Sequence, residues 1–119
     1  MTIGHLLERR RHFRLRFPKS ERPIFDSTHG RLVVLEAAEQ GLLVAATNIG
    51  HVGEPVTGLL IFQDGHRVDI QTLVFRVECS ATVLNDVRGV AIADMLREQR
   101  RLMRKYPATD FLMPPRTVF

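Results

Sequence analysis

Asp64-Gly65 stands between two long apolar runs, Pro55 to Gln63 (PVTGLLIFQ) and His66 to Val77 (HRVDIQTLVFRV). Asp-Gly accepts the positive backbone angles of a two-residue turn, so the two runs read as the strands of one hairpin. Val68, Ile70 and Thr72 alternate with Asp69 and Gln71, the period of a strand with one dry and one wet face. A lone hairpin is marginal in water, and its apolar face demands further strands or a helix.

The rest of the chain supplies them. Short runs of Val, Ile, Leu and Phe broken by Gly, Asn and Asp predict strands at Pro23 to Thr28, Arg31 to Leu35 and Leu42 to Ala46. Ser80 to Ile92 (SATVLNDVRGVAI) reads as two short strands turning at Asn85-Asp86 or as one interrupted strand. Ala93 to Tyr106 predicts an amphipathic helix: Met95, Leu96, Leu102, Met103 and Tyr106 recur at near-helical spacing, Asp94 favours the start and Arg104-Lys105 the end. Its outer face is expected to be basic, around Arg97, Arg100, Arg101 and Arg104. The expected fold is all-β, a small antiparallel β-barrel of about six strands with a C-terminal α-helix covering its open end or side. Residues 1–19 form a basic arm, 20–106 the barrel and helix, and 107–119 an extended tail whose Phe111, Leu112 and Met113 can dock on the barrel or a partner.

At 119 residues the chain has room for one apolar core. Its net charge of +4 favours anionic partners such as nucleotides, nucleic acid or an acidic protein face. A single cysteine, Cys79, allows no internal disulfide and no Cys-rich zinc site, and points to a reducing, cytoplasmic setting. No run approaches the roughly 20 apolar residues of a membrane-spanning helix, so membrane insertion is not expected. His5, His12, His29, His51 and His66 are dispersed, with no metal-binding spacing. Phosphate loops, dinucleotide fingerprints and nucleophile motifs are missing, and Cys79 has nothing in its sequence neighbourhood to activate it. No catalysis, metal or cofactor is expected.

One charge run remains. Glu8 to Pro18 (ERRRHFRLRFP) packs Arg9, Arg10, Arg11, Arg14 and Arg16 around Phe13, Leu15 and Phe17. Guanidinium is a planar fork of donors that fits phosphate oxygens and the O6/N7 edge of guanine. The plain alternative is a solvated basic tail.

R-x-x-x-R ahead of a small barrel, followed by a turn of the form D/N-x-S-x-x-G between strands, resembles the PilZ family of bacterial cyclic di-GMP receptors. Arg10 to Arg14 matches the first element and follows Arg9, as in many members; Gly89 to Pro107 is similar to the family's last strand and helix. The resemblance runs from Glu8 to Pro107. Glu36 to Gly41 (EAAEQG) departs from the second element, with Gly41 matching, Glu36 in place of Asp or Asn, and Ala38 in place of Ser. Asp26 to Gly30 has the wrong spacing to replace it.

The resemblance implies that Arg10 and Arg14 grip the phosphates and guanine edges of cyclic di-GMP, with Arg9 as their helper. Glu36 would accept from guanine N–H groups, Ala38 would offer no hydroxyl, and Gly41 would allow close approach. The two departures together would cost about one to two decades of affinity. A receptor that changes conformation and signals to a downstream effector protein is the first expectation. A degenerate member acting as a ligand-independent protein-interaction module is the second. General nucleic-acid binding by the arginine arm and the basic helix ranks last, and specific nucleic-acid binding is not expected, since only one Tyr, no Trp and no nucleic-acid motif are present.

Overall fold

A computed structural model describes residues 14–38 and 40–106; for Arg14 it describes the backbone alone. The strands are β1 (Arg14–Arg16), β2 (Ile24–Ser27), β3 (Gly30–Ala38), β4 (Gly41–Val44), β5 (Pro55–Ile61), β6 (Arg67–Val77) and β7 (Thr82–Arg88). A single 3-10 turn (Lys19–Glu21) joins β1 to β2, and helix α1 (Ile92–Lys105) follows β7. All strand pairs are antiparallel. The sheet runs β3-β2-β5-β6-β7-β4, and pairing of β4 back onto β3 closes a six-stranded barrel. The expected small barrel with a C-terminal helix is the observed fold.

β1 is the seventh strand. The sequence reading assigned it to the arm, and three residues with two charges give too short a pattern to reveal a strand. It pairs with the last residues of β3, and β2 pairs with the first ones. Hydrogen bonds from Phe17 N–H to Leu35 O and from Val34 N–H to Pro23 O continue that edge between the two pairings.

Two bulges correct the sequence-based boundaries. The β3–β4 register shifts between Val34 and Glu36. Leu32 and Val34 point into the core and Ala37 does so next, so the extra residue moves Glu36 from the core face to the outer face. Glu36 to Ala38, expected within a turn, are strand residues: β3 runs to Ala38 and β4 begins at Gly41. The second bulge lies in β7. Of the two readings of Ser80 to Ile92, one interrupted strand is the observed one: Leu73 pairs with Asn85, Gln71 with Arg88, and Asp86 takes φ +50 at the interruption. Aspartate enters that left-handed region more readily than most residues.

The barrel interior is filled by side chains such as Phe25, Val34, Leu42, Leu60, Ile70, Val74 and Leu84. Burial of each Leu, Ile or Phe stabilises by about 1.5–3 kcal/mol. Gly58 lets two strands meet closely, since a Cβ there would lie 2.1 Å from the Asp26 carbonyl oxygen.

α1 caps the barrel with Met95 and Leu102, which join the same core. Its inward line is Met95, Glu98 and Leu102; Leu96 and Met103, expected on the apolar face, are exposed. The reason is the polar network that holds the helix down. Arg101 donates through Nε and Nη2 to the two Glu98 oxygens at 2.9 and 3.0 Å, and its Nη1 lies 3.0 Å from Glu21 Oε1. Glu21 Oε2 also accepts from Lys105 Nζ at 2.7 Å and the Tyr106 hydroxyl at 2.8 Å. Arg101 therefore does not belong to a solvated basic face. At the helix start, Asp94 accepts from the Ala91 N–H and meets His66 Nε2 at 3.0 Å, while Arg97 pairs with Asp64 of the hairpin turn.

Burial alone would raise the Glu21 carboxyl, but the donors Lys105, Tyr106 and Arg101 outweigh it and lower its pKa from 4.5 to about 2. A depressed carboxylate adds stability above its unfolded pKa and loses it as pH falls through the folded one. Stability should therefore decline between about pH 4.5 and about pH 2. Glu21→Gln should flatten that decline and lower stability at neutral pH by about 3–5 kcal/mol, measured by urea unfolding across pH. Gly58→Ala should cost about 1–3 kcal/mol in the same assay, through strand separation at Asp26.

Candidate functional site

The candidate site is the outer wall of the barrel where β1, β3, β4 and β7 lie side by side. Partners in an antiparallel register share a face. One row runs Ala38, Gly41, Asn85, Leu73, and the backbone of Arg14 pairs with Ala38 at its end. The next outer row runs Arg16, Glu36, Leu43, Val83, Arg76. Between them the inward row Leu15, Ala37, Leu42, Leu84, Val74 belongs to the barrel core. The fold thus sets the end of the arginine run beside the Glu36 to Gly41 segment.

Of the residues expected to bind a ligand, Arg9 and Arg10 lie outside the described residues. Arg14 is placed by its backbone, opposite Ala38. Glu36 and Ala38 are only 5% and 3% exposed, although both face outward. Arg16 Nε lies 3.7 Å from Glu36 Oε2, and the Arg16 side chain is mostly in water. Gly41 is buried in β4, paired with Ala38 on one side and Asn85 on the other. A side chain at Gly41 would stand on the outer wall between them.

Sequence reasoning missed Arg16, Leu43, Val83 and Asn85. Arg16 carried a signal, since it stands two residues after Arg14 in R-L-R-F and strand alternation puts both on one face. The other three carried none, because β4 and β7 reach this wall only through long-range pairing.

The wall also carries an apolar cluster separate from the barrel interior, made of Leu43, Ala81 and Val83 with Leu35 against it. Two hollows lie elsewhere on the described residues. A groove of about 460 Å³ on the outside of β5, β6 and β7 is lined by Thr57, Asp69, Gln71 and Arg88, and a second of about 320 Å³ adjoins it at Pro55 and Leu73. Neither includes a residue of the two motif segments.

One constellation looks catalytic at first sight. Thr28 Oγ1 lies 3.1 Å from His29 Nδ1, and His29 Nε2 lies 2.8 Å from Glu54 Oε2. Hydroxyl, imidazole and carboxylate in series can activate a nucleophile. Here the same groups fasten loops: Thr28 Oγ1 accepts from the Thr57 N–H at 3.4 Å, and Glu54 Oε1 from the His51 N–H at 3.1 Å. These bonds from the His51 backbone and from His29 lower the Glu54 pKa. Neither hollow opens onto the trio. Among the described residues no group of three or more His, Cys, Asp or Glu could hold a metal ion, and no helix is long and apolar enough to cross a membrane.

On α1, Arg97 and Arg101 are engaged with Asp64 and with Glu98 and Glu21, which leaves Arg100 and Arg104 as the exposed arginines of the expected basic face. Comparisons with protein-family models, with curated proteins and with solved structures return no match to this chain.

Glu36 and Asp26 make a controlled pair for testing the wall. Each lies 3.7 Å from an arginine nitrogen, but the Glu36 side chain is 6% exposed and that of Asp26 50%. Glu36→Ala should lower stability by about 1–3 kcal/mol, whereas Asp26→Ala should stay within about 0.5 kcal/mol of wild type in urea unfolding.

Proposed function

We propose that this chain is a non-catalytic, PilZ-like receptor for cyclic di-GMP that passes the signal to an effector protein in the cytoplasm. The observation that carries the reading is the strand register that pairs Arg14 with Ala38 and Ala38 with Gly41. Two motif segments more than twenty residues apart in sequence meet on one wall, as a shared ligand requires. Arginine forks suit both the phosphates and the guanine Hoogsteen edge, and the net charge of +4 draws an anionic dinucleotide toward them. In this reading Arg9, Arg10 and Arg14 supply the guanidinium forks and Glu36 a carboxylate acceptor, while Ala38 and Gly41 add no side chain beyond Cβ to the wall.

A second reading has its own support. Glu36 and Ala38 are nearly closed to water, and Arg16 lies beside the Glu36 carboxylate. A wall already dry is the wall of an interaction module that works without ligand.

Calorimetric titration with cyclic di-GMP separates the two. The receptor should release or absorb heat at tens of micromolar ligand, and Arg10→Ala or Arg14→Ala should weaken binding by roughly 10- to 150-fold, the loss of a charged hydrogen bond of about 1.5–3 kcal/mol. Ala38→Ser should tighten it by roughly 2- to 13-fold by restoring a neutral hydrogen bond of about 0.5–1.5 kcal/mol. Absence of heat in the wild type and in Ala38→Ser together would overturn the receptor reading in favour of the module.

A further inference from the structure

We propose that the exposed stripe Ile92, Leu96 and Met103 on α1, with Arg100 and Arg104 beside it, is a docking surface for an acidic amphipathic helix of a partner protein. The starting observation is which residues the helix hides and which it shows. Glu98 is fully buried on the inward line between Met95 and Leu102, while Ile92, Leu96 and Met103 are 39%, 36% and 53% exposed. Burying a carboxylate is costly unless it is paired, and leaving large apolar side chains in water forgoes the gain from their burial. A helix that served only to cap the barrel would place its apolar residues inward and its acid outward.

The orientation that exposes the stripe is fixed. Asp94 meets His66 and Arg97 meets Asp64 at one end of α1, while Arg101 and Lys105 reach Glu21 at the other. The helix cannot roll to bury Leu96 and Met103 without breaking these pairs.

Shape and charge select the occupant. At 3.6 residues per turn, Ile92, Leu96 and Met103 lie within about 40° of one another around the axis, over a rise of about 16 Å. Met95 and Leu102 lie about a quarter-turn to one side, and Arg100 and Arg104 a comparable angle to the other. A line one side chain wide is the ridge that a second helix takes into its groove, whereas a helix lying in a lipid surface needs a broad apolar face. Both acids of α1 are already engaged, Asp94 with His66 and Glu98 with Arg101, and Arg100 and Arg104 are exposed. The charges that α1 sets beside the stripe are therefore positive, so two copies would bring arginine against arginine, and a flank of Asp or Glu is the complement. A stable dimer also engages about 20–30 residues a side, while three apolar positions suit a segment held by a few anchors. The surface belongs to α1 alone and stands whether or not the wall of β1, β3, β4 and β7 takes a nucleotide.

Methyl-labelled full-length protein without nucleotide, titrated with two synthetic peptides, provides the test. Both peptides are amphipathic helices with a leucine stripe; one carries glutamate along its polar flank and the other lysine. The glutamate peptide should shift the Ile92, Leu96 and Met103 methyl resonances and leave the Ile70 and Leu84 methyls of the barrel interior in place, and the lysine peptide should shift neither set. Arg100→Glu with Arg104→Glu should weaken the glutamate peptide by roughly 2- to 30-fold, the loss of two exposed ion pairs, and strengthen the lysine peptide. Leu96→Ser with Met103→Ser should abolish the Ile92 shift; both positions are exposed, so the barrel methyls should hold. No shift on α1 at millimolar glutamate peptide, or equal binding of the two peptides, would overturn the proposal. So would Ile92 and Leu96 resonances that move with protein concentration alone, which would assign the stripe to a second copy. Shifts with phosphatidylserine vesicles but not with the peptide would overturn it in favour of a membrane surface, and cross-peaks from Phe111 or Leu112 to Leu96 in the free protein would do so in favour of the chain's own residues 107–119.

Discussion

β3 carries strand neighbours along both of its edges, and the rest of the fold depends on that arrangement. β2 and then β1 line one edge, and β4 takes the other and closes the sheet into a barrel. Closure removes the exposed edges that an open sheet of these strands would present. It also requires a bulge at Leu35, because a strand that serves β2 in its first half and β1 and β4 in its second must bend. The bend has a chemical consequence. It turns Glu36 out of the core, where an unpartnered carboxylate would be costly, and onto the wall beside Arg16.

The helix is held by a different kind of interaction. Glu98 sits on the inward face of α1 between Met95 and Leu102, a position that apolar packing alone would not select. Arg101 bridges Glu98 to Glu21, and Glu21 belongs to the turn between β1 and β2. The helix is thereby fastened to the same segment that delivers β1 to the wall. Buried ion pairs of this kind contribute more to orientation than to net stability, since desolvation offsets much of their attraction. At the opposite end of α1, Asp94 with His66 and Arg97 with Asp64 fasten it to the β5–β6 hairpin. The helix is thus tied at both ends, and its remaining apolar residues Ile92, Leu96 and Met103 are left on the surface.

Much of this was legible in the sequence where the determinants are local. The Asp64-Gly65 turn, the alternation along β6 and the helix limits near Asp94 and Lys105 follow from backbone preference and side-chain period. Where local signals left a choice open or pointed the wrong way, tertiary packing decided. Asn85-Asp86 allowed two strands or one interrupted strand, and long pairings to β4 and β6 keep β7 continuous and convert the turn chemistry into a bulge. Glu36 to Ala38 fall in a motif expected to be a turn closed by Gly41, yet partners on both edges hold them extended. On α1, Leu96 and Met103 have the spacing of a buried face, but the Arg101 network rotates a different line inward.

The sequence by itself determined an antiparallel barrel with a terminal helix, an arginine-rich arm ahead of it and a half-matched turn motif, because turns, periodicity and charge are properties of neighbouring residues. Only the tertiary structure decided that Arg14 pairs with Ala38, that Glu36 lies on the outer face and that Leu43 and Val83 make a dry wall beside them. Those relations come from register between strands far apart in the chain. A single added residue at Leu35 reverses which side chains share a face, and nothing local to that residue records the reversal.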